Sequence, residues 1–416
     1  MGRRNRNAHE AAPQPATRLS RWHPYPAMVA DELAVAIATA NVREGMRVLD
    51  PFCGSGRLLM AASAQGAICT GFDVNPLGCL ITDAKSSNAC PAIIAEIAKD
   101  SKIGARSGGN AVILRGTRVN WLSDTVADEL GQIVAWINGL GLPEAELLVL
   151  ATSLSAATRD AAWIRKSGWK IHRMDGANRA SHRVSAWERF YSRLEHYARA
   201  AAEMPLRGVV KTRRTSAFDA AAQADLEDRY DVLLTSPPYG DSKTTVQYGG
   251  VSGICLDVVS RIHGLEGHYT TGNDIDRACL GGRRADSSLT DLRRYWAGTP
   301  GGESAFRISA FLEEFAQTSR ALTSLLKPGG TMVMVVGRRS VGGFRVKLDA
   351  FLDDRMTALG MCTTTIEKRR IRQKRVPRTV NRFARSSCEL TRDAGATKTM
   401  DEEIILSFQA PGVVQR

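Results

Sequence analysis

The chain has 416 residues, with 56 Lys+Arg against 43 Asp+Glu and a formal charge of +13 at neutral pH. At 44% hydrophobic and 24% charged, with a pI near 9.6, it reads as a basic globular protein long enough for a large core, and the basic excess favours a polyanionic partner. No run approaches the ~18 uncharged apolar residues of a membrane helix, and no apolar stretch follows the charged start, so neither a membrane partner nor secretion is expected. Eight cysteines without a Cys-x-x-Cys pair argue against a structural zinc and for a reducing cytoplasm.

In chain order, residues 1–20 carry Arg3, Arg4 and Arg6 among Ala, Pro and Asn without an apolar period, which predicts a disordered basic tail. From Trp22 onward the pattern predicts a helix over Ala27–Ala40, a strand at Arg47–Asp50, a helix at Arg57–Gln65, a strand at Ala67–Asp73 and a helix from about Leu77. Strands alternating with helices imply a parallel α/β sheet. Residues 86–205 break that rhythm with Ala-rich helical stretches (Ser123–Leu140, Pro143–Thr158, Ser185–Met204) and read as a helical insertion. Alternation returns with strands at Gly208–Thr212 and Asp231–Leu234, then a Gly-rich, weakly periodic region from Gly240 to about Gly302. A helix over Ile308–Leu326 meets Lys327-Pro328-Gly329-Gly330, which predicts a stop and turn before the strand Thr331–Val336. A helix (Lys347–Leu359), a basic stretch from Lys368 to Arg378 and a strand Glu403–Phe408 complete the pattern.

The segment Arg47-Val48-Leu49-Asp50-Pro51-Phe52-Cys53-Gly54-Ser55-Gly56 is a buried strand ending in an acid, then a glycine loop entering a helix. Such a loop lets a ligand approach backbone N–H groups closely. A dinucleotide fingerprint would need a third glycine where Leu59 stands, and a phosphate-cradling loop would need a lysine that is missing. A ligand with a carboxylate and an ammonium fits better, with Asp50 meeting the ammonium, and S-adenosylmethionine is such a ligand. Asp73, ending the next strand ahead of Val74 and Asn75, is placed to take both ribose hydroxyls.

The strand Tyr230–Thr235 runs into Ser236-Pro237-Pro238-Tyr239-Gly240. Two prolines fix φ and remove two backbone donors, leaving a stiff platform of acceptors. A hydroxyl before the prolines and a ring after them can hold an exocyclic amine and stack on its base.

Taken together, Val48–Gly56 and Thr235–Tyr239 resemble the S-adenosylmethionine-dependent DNA amino-methyltransferase family, and the serine form of the loop is typical of its cytosine-N4 branch. His23-Pro24-Tyr25-Pro26-Ala27-Met28 resembles that branch's N-terminal motif, which packs on the methionine end of the cofactor. The resemblance implies a Rossmann-like methyltransferase sheet built from residues 21–85, 206–240 and 303–411, with residues 86–205 as insertion and 241–302 as a small target-recognition region. Tyr25, Pro26, Asp50, Pro51, Phe52, Cys53, Gly54, Ser55, Gly56, Asp73, Val74 and Asn75 would then bind the cofactor. The family often carries an acid for adenine after the third strand. Here the run is Thr215-Ser216-Ala217-Phe218-Asp219, so either Asp219 serves from a shifted position or Ser216, Ala217 and Phe218 hold the adenine.

The implied chemistry is direct methyl transfer to an amine held by Ser236 and the Pro237 carbonyl, with Pro238 stiffening the loop and Tyr239 stacking on a flipped base. Cys53 is then no nucleophile. Double-stranded DNA is the expected partner, with a cognate restriction endonuclease acting separately. Arg369, Arg370, Arg372, Lys374 and Arg375 are candidate phosphate contacts, and Arg283 and Arg284 candidate base readers, with the stretch Arg165–Arg183 as the alternative. Adenine-N6 methylation, guanine-N2 methylation of RNA and an inactive DNA-binding protein are the rival functions.

Overall fold

Runs such as Val48-Leu49-Asp50 and Val232-Leu233-Leu234-Thr235, apolar until a terminal polar group, suit strands covered on both faces. In the computed structural model they form the centre of one sheet. The structure describes residues 19–107, 114, 119–165, 171–202, 207–223, 229–240, 246–268, 270–282, 290–295, 303–338, 340–341, 344–371, 379–380, 397–398 and 402–412.

Seven strands make the main sheet: β1 (Arg47–Asp50), β2 (Ile68–Asp73), β3 (Val209–Arg214), β4 (Tyr230–Thr235), β5 (Leu326–Val336), β6 (Cys362–Arg370) and β7 (Glu402–Gln409), in the order β3-β2-β1-β4-β5-β7-β6. The first five are parallel, and β7 lies antiparallel to both β5 and β6. This is the Rossmann-like methyltransferase sheet that the motifs imply. Strand addition reverses direction between β1 and β4, and at that point the carboxyl ends of a parallel sheet leave a crevice for a ligand.

Period-two alternation sends Val48, Val333 and Val335 to one face, under α1 (Asp31–Asn41) and α2 (Arg57–Ser63). Leu49, Met332 and Met334 point to the other face, which later helices cover. The third core is helical. It joins α3 (Pro76–Ser86) to α4 (Pro91–Ser107), α5 (Asp124–Gly139), α6 (Glu144–Ala161) and, beyond the short α7 (Gly176–Ser181), α8 (Ala186–Ala202). The insertion therefore shares its core with the sheet domain. The N-terminal segment pins it: the Trp22 and Tyr197 rings lie 4.7 Å apart, and His23 Nε2 lies 2.9 Å from Ser155 Oγ. Because the Pro24 carbonyl, 3.0 Å from Nδ1, can only accept, Nδ1 carries the proton and Nε2 accepts from Ser155. Burial and the nearby Arg159, Arg193 and Lys85 hold this imidazole neutral.

After β3 come α9 (Ala217–Gln223), α10 (Tyr248–Val259), α11 (Gly272–Ala278), α12 (Glu303–Ser324) and α13 (Leu348–Ala358).

Several boundaries differ from the sequence reading. Leu19 and Ser20, assigned above to the tail, are buried, and Ser20 Oγ donates to Asp31 at 2.9 Å; residues 1–18 lie outside the described residues. The first helix starts at Asp31, because residues 27–29 run along the cleft wall and Ala27 has φ +53°. The segment Lys327–Gly330 is the irregular start of β5, where Gly329 N–H donates to the Pro411 carbonyl at 3.0 Å. The weakly periodic region contains α10, whose Ile254, Cys255, Leu256, Val258 and Val259 are buried. Its glycines allow tight contact: a Cβ on Gly249 would lie 1.8 Å from the Gly272 carbonyl oxygen.

Candidate active site

The glycine loop is held from three sides. Gly54 (φ +51°) and Gly56 (φ +75°) are left-handed, and a Cβ on Gly56 would meet the Thr82 side chain at 2.6 Å, so no L-side chain fits without displacing α3. From α3, Thr82 Oγ1 donates to the Gly54 carbonyl at 3.1 Å and Lys85 Nζ to the Ser55 carbonyl at 2.8 Å. Burial, then the Arg57 charge, pulls the Lys85 ammonium down to about 7. From the N-terminal side, Arg57 pairs with Asp31 at 2.9 Å. From β2, the Asp73 carboxylate accepts Gly54 N–H on one oxygen and Asn75 N–H on the other, each at 2.7 Å.

Asn75 joins the motifs. Its Oδ1 caps α3 by accepting from Leu77 N–H at 3.1 Å, ahead of Pro76 at the first helical position. Its Nδ2 donates to Tyr25 Oη at 3.0 Å and Ser252 Oγ at 2.9 Å. The Tyr25 ring in turn covers Gly54, where a Cβ would lie 3.1 Å from it.

Asp50 is 2% exposed. Its Oδ1 accepts from Thr235 Oγ1 at 2.7 Å and from Phe52 N–H at 3.1 Å. The Thr235 bond ties the loop after β1 to the loop after β4. Burial pushes Asp50 up to about 7 and Asp73 up to about 6, so both carboxylates await positive charge or hydrogen-bond donors.

These loops enclose a cleft of about 1160 Å³, counting its open mouth. Its wall takes Tyr25 and Pro26 from the N-terminal segment, Asp50 and Pro51 through Ser55 from the glycine loop, and Asp73, Val74 and Asn75 from the end of β2. Ser216, Ala217 and Phe218 follow from the end of β3, and Ser236 and Pro238 from the end of β4. Gly56 stands behind the wall as the left-handed N-cap of α2. Pro237 and Tyr239 are also set back. Tyr239 Oη lies 3.2 Å from Ser236 Oγ, and its ring packs on the core that holds Leu49 and Met334, so the stacking face expected of it is not on the cleft wall. Asp219 accepts from Ser216 Oγ at 2.6 Å and is likewise not on the wall, which leaves Ser216, Ala217 and Phe218 lining the cleft at the end of β3.

Sequence reasoning missed Arg57, Tyr248, Cys279 and the α12 residues Glu314, Gln317 and Thr318 on the wall. The α12 residues carried a signal, three polar positions at helical spacing on an otherwise apolar stripe. Of the DNA candidates, Arg283, Arg284, Arg372, Lys374 and Arg375 lie outside the described residues. Arg369 and Arg370 are on β6, opposite Glu403 and Glu402, and Arg369 pairs with Glu403 at 3.8 Å. That is the cross-strand pairing of an exposed sheet edge.

The cleft fits S-adenosylmethionine in its chemistry. Two buried carboxylates have the chemistry to take an ammonium and a ribose diol, and the left-handed glycine loop leaves space for a ligand. Asp73→Ala is therefore expected to weaken cofactor binding ~10–100-fold in calorimetry, the loss of charge-assisted hydrogen bonds; unchanged affinity would contradict this ribose contact. Cys53 is 6% exposed, and neighbouring Cys79 and burial raise its thiol well above the usual range. Cys53→Ser should remain active in a methyl-transfer assay, since a protonated buried thiol is a poor nucleophile; a folded, cofactor-bound but inactive variant would demand a covalent mechanism.

A family profile described as "RMKL-like, methyltransferase domain" matches residues 18–151. The Type II methyltransferase M.MvaI of Kocuria varians is 24% identical over 401 residues, covering 86% of this chain and 85% of that protein. Among solved structures, the rRNA methyltransferase AviRa of Streptomyces viridochromogenes aligns at 16% identity over 80% of this chain and 86% of its own, with a TM-score of 0.29. TrmN of Thermus thermophilus aligns at 10% identity over 91% of this chain, which spans 48% of TrmN, with a TM-score of 0.30. The sheet order, the two acids flanking the glycine loop, the profile match and the relative aligned along most of both chains make this protein an S-adenosylmethionine-dependent methyltransferase.

Proposed function

We propose that the protein methylates the exocyclic N4 amine of cytosine in duplex DNA, in the cytoplasm, as the modification enzyme of a restriction system whose endonuclease acts separately. One observation carries this reading: Ser236 and Pro238 stand on the same cleft wall as Asp50 and Asp73, so an amine at Ser236 and a methyl donor on the glycine loop share one cavity. The serine favours cytosine within the family that the motifs resemble, and the name of the Kocuria varians relative supports a restriction context.

Asp50 and Asp73 hold the ammonium and ribose ends of S-adenosylmethionine, with Ser216 and Phe218 beside its adenine. When bound, the cofactor supplies an electrophilic methyl on its sulfonium. The protein's part is alignment. Ser236 Oγ and the Pro237 carbonyl accept the two amine hydrogens, which turns the nitrogen lone pair towards the methyl and stabilises the pyramidal nitrogen of the transition state. A cleft below the protein surface is reached by a base only once that base has left the duplex stack.

Expression in a host lacking DNA methylation, followed by sequencing that detects modified bases, tests the proposal. Modified cytosines confined to one short motif are expected. Modified adenines would move the protein to the N6 branch, and unmodified DNA with methyl label in RNA would overturn the reading.

A further inference from the structure

Between α6 and α8 the insertion folds back on itself. Arg165 N–H donates to the His172 carbonyl at 2.9 Å, Met174 N–H to the Trp163 carbonyl at 2.9 Å, and Ile164 bridges Arg173 in antiparallel fashion. The returning strand enters α7, capped by Asp175, which accepts from Asn178 N–H at 2.9 Å. Trp163–Arg165 and Ile171–Arg183 thus form the two paired arms of a hairpin and a helical turn on the protein surface. Its charge is one-sided, with Arg165, Arg173, Arg179 and Arg183 against Asp175.

Two of these arginines share one ring. The Arg173 and Arg179 guanidinium carbons each lie 5.5 Å from the centroid of Trp163. A guanidinium on an indole uses its flat face and keeps its in-plane N–H groups for bidentate contact with an oxyanion. Holding two such groups on one indole gathers positive charge, a cost that a polyanion would offset.

The position relates this surface to the cleft. Ile171 packs on Gly250 so closely that a Cβ there would lie 2.7 Å from Ile171 Cγ2. Gly250 belongs to α10, the helix that follows the Ser-Pro-Pro-Tyr loop, and Tyr248, two residues earlier, is on the cleft wall. One helix therefore carries the cleft wall and seats the hairpin.

We infer that the hairpin Trp163–Arg165/Ile171–Arg183 is a docking surface for the phosphate backbone of duplex DNA, with Arg173 and Arg179, presented by Trp163, as its contacts. The inference rests on the proposed DNA substrate and moves the chief contact from the C-terminal basic stretch to the insertion.

Fluorescence anisotropy with a short mixed-sequence duplex, titrated across a salt series, tests it on the full chain. The comparison is wild type, Arg173→Ala/Arg179→Ala, and Arg43→Ala, whose exposed arginine lies at the opposite, amino-terminal end of the strands. The double variant should bind at least tenfold more weakly, and the slope of log K against log salt should fall by about 2, at ~0.9 per phosphate contact. Arg43→Ala should leave both unchanged, and all three proteins should bind S-adenosylhomocysteine equally, which reports the fold. Methylation of DNA by a double variant with wild-type affinity and slope would overturn the hairpin assignment alone, as would an equal loss in Arg43→Ala. A wild-type protein that methylates RNA and not DNA would overturn the proposed function, and the DNA assignment with it.

Discussion

Ser236→Ala is expected to lower kcat for methyl transfer by ~100-fold or more, the scale set by removing one group aimed at transition-state charge. Cofactor affinity should stay within about twofold, because Asp50 and Asp73, the carboxylates proposed to hold the cofactor ends, are on other strands. The substitution also removes the 3.2 Å contact with Tyr239 Oη, so Tyr239→Phe is the matching control: it deletes the same contact and keeps the serine oxygen. Tyr239→Phe should retain most activity in the same assay. Equal losses in both variants would shift the catalytic role from the serine to the tyrosine.

Asp50→Asn should abolish measurable cofactor binding and at the same time stabilise the folded protein above neutral pH. The asparagine Oδ1 can still accept from Thr235 and Phe52, but the negative charge facing the ammonium is gone. The stability change follows from linkage. In the folded state the carboxyl titrates at about 7, against 3.8 for the ordinary group. Between those values the folded protein holds a proton that the unfolded chain has released. The stabilising contribution is thus fully present below about pH 4 and lost as pH rises through about 7, where a buried charge remains. A shift of about 3 units corresponds to ~4 kcal/mol of strain at pH 8, relieved by the amide. Thermal unfolding from pH 5 to 8 checks this: the variant's advantage should grow with pH, and a constant difference would contradict the buried charge. Cofactor affinity of the wild type should likewise weaken as pH falls below 7 and again below about 6, where Asp73 takes up its proton.

The sheet was legible where local chemistry and burial agree. β1, β2 and β4 are mostly buried, carry apolar runs such as Val48-Leu49 and Val232–Leu234, and end in Asp50, Asp73 and Thr235, the groups that line or brace the cleft. β6 escaped because, among the described residues, Thr364–Lys368 is exposed, and its Thr, Glu and Lys look like loop residues until Glu402 and Glu403 of β7 come alongside. α10 escaped for the opposite reason, since its glycines mask a run buried on nearly all sides. The glycine loop and the serine loop were readable as motifs. The clamps that hold them were not, because Lys85, Thr82 and Asn75 reach them through the packing of α3, and no spacing along the chain announces that a lysine will sit 2.8 Å from the Ser55 carbonyl. Tyr239 shows the limit of a motif: its place in the loop was correct, while its ring turned towards the core.

The central claim, that the cleft methylates the N4 amine of cytosine in DNA, is tested most directly by incubating the protein with methyl-labelled S-adenosylmethionine and plasmid DNA, digesting to nucleosides and identifying the labelled one. The account predicts label in N4-methyldeoxycytidine with wild type and none above background with Ser236→Ala. Label in N6-methyldeoxyadenosine, or DNA that stays unlabelled while RNA is methylated, would contradict it.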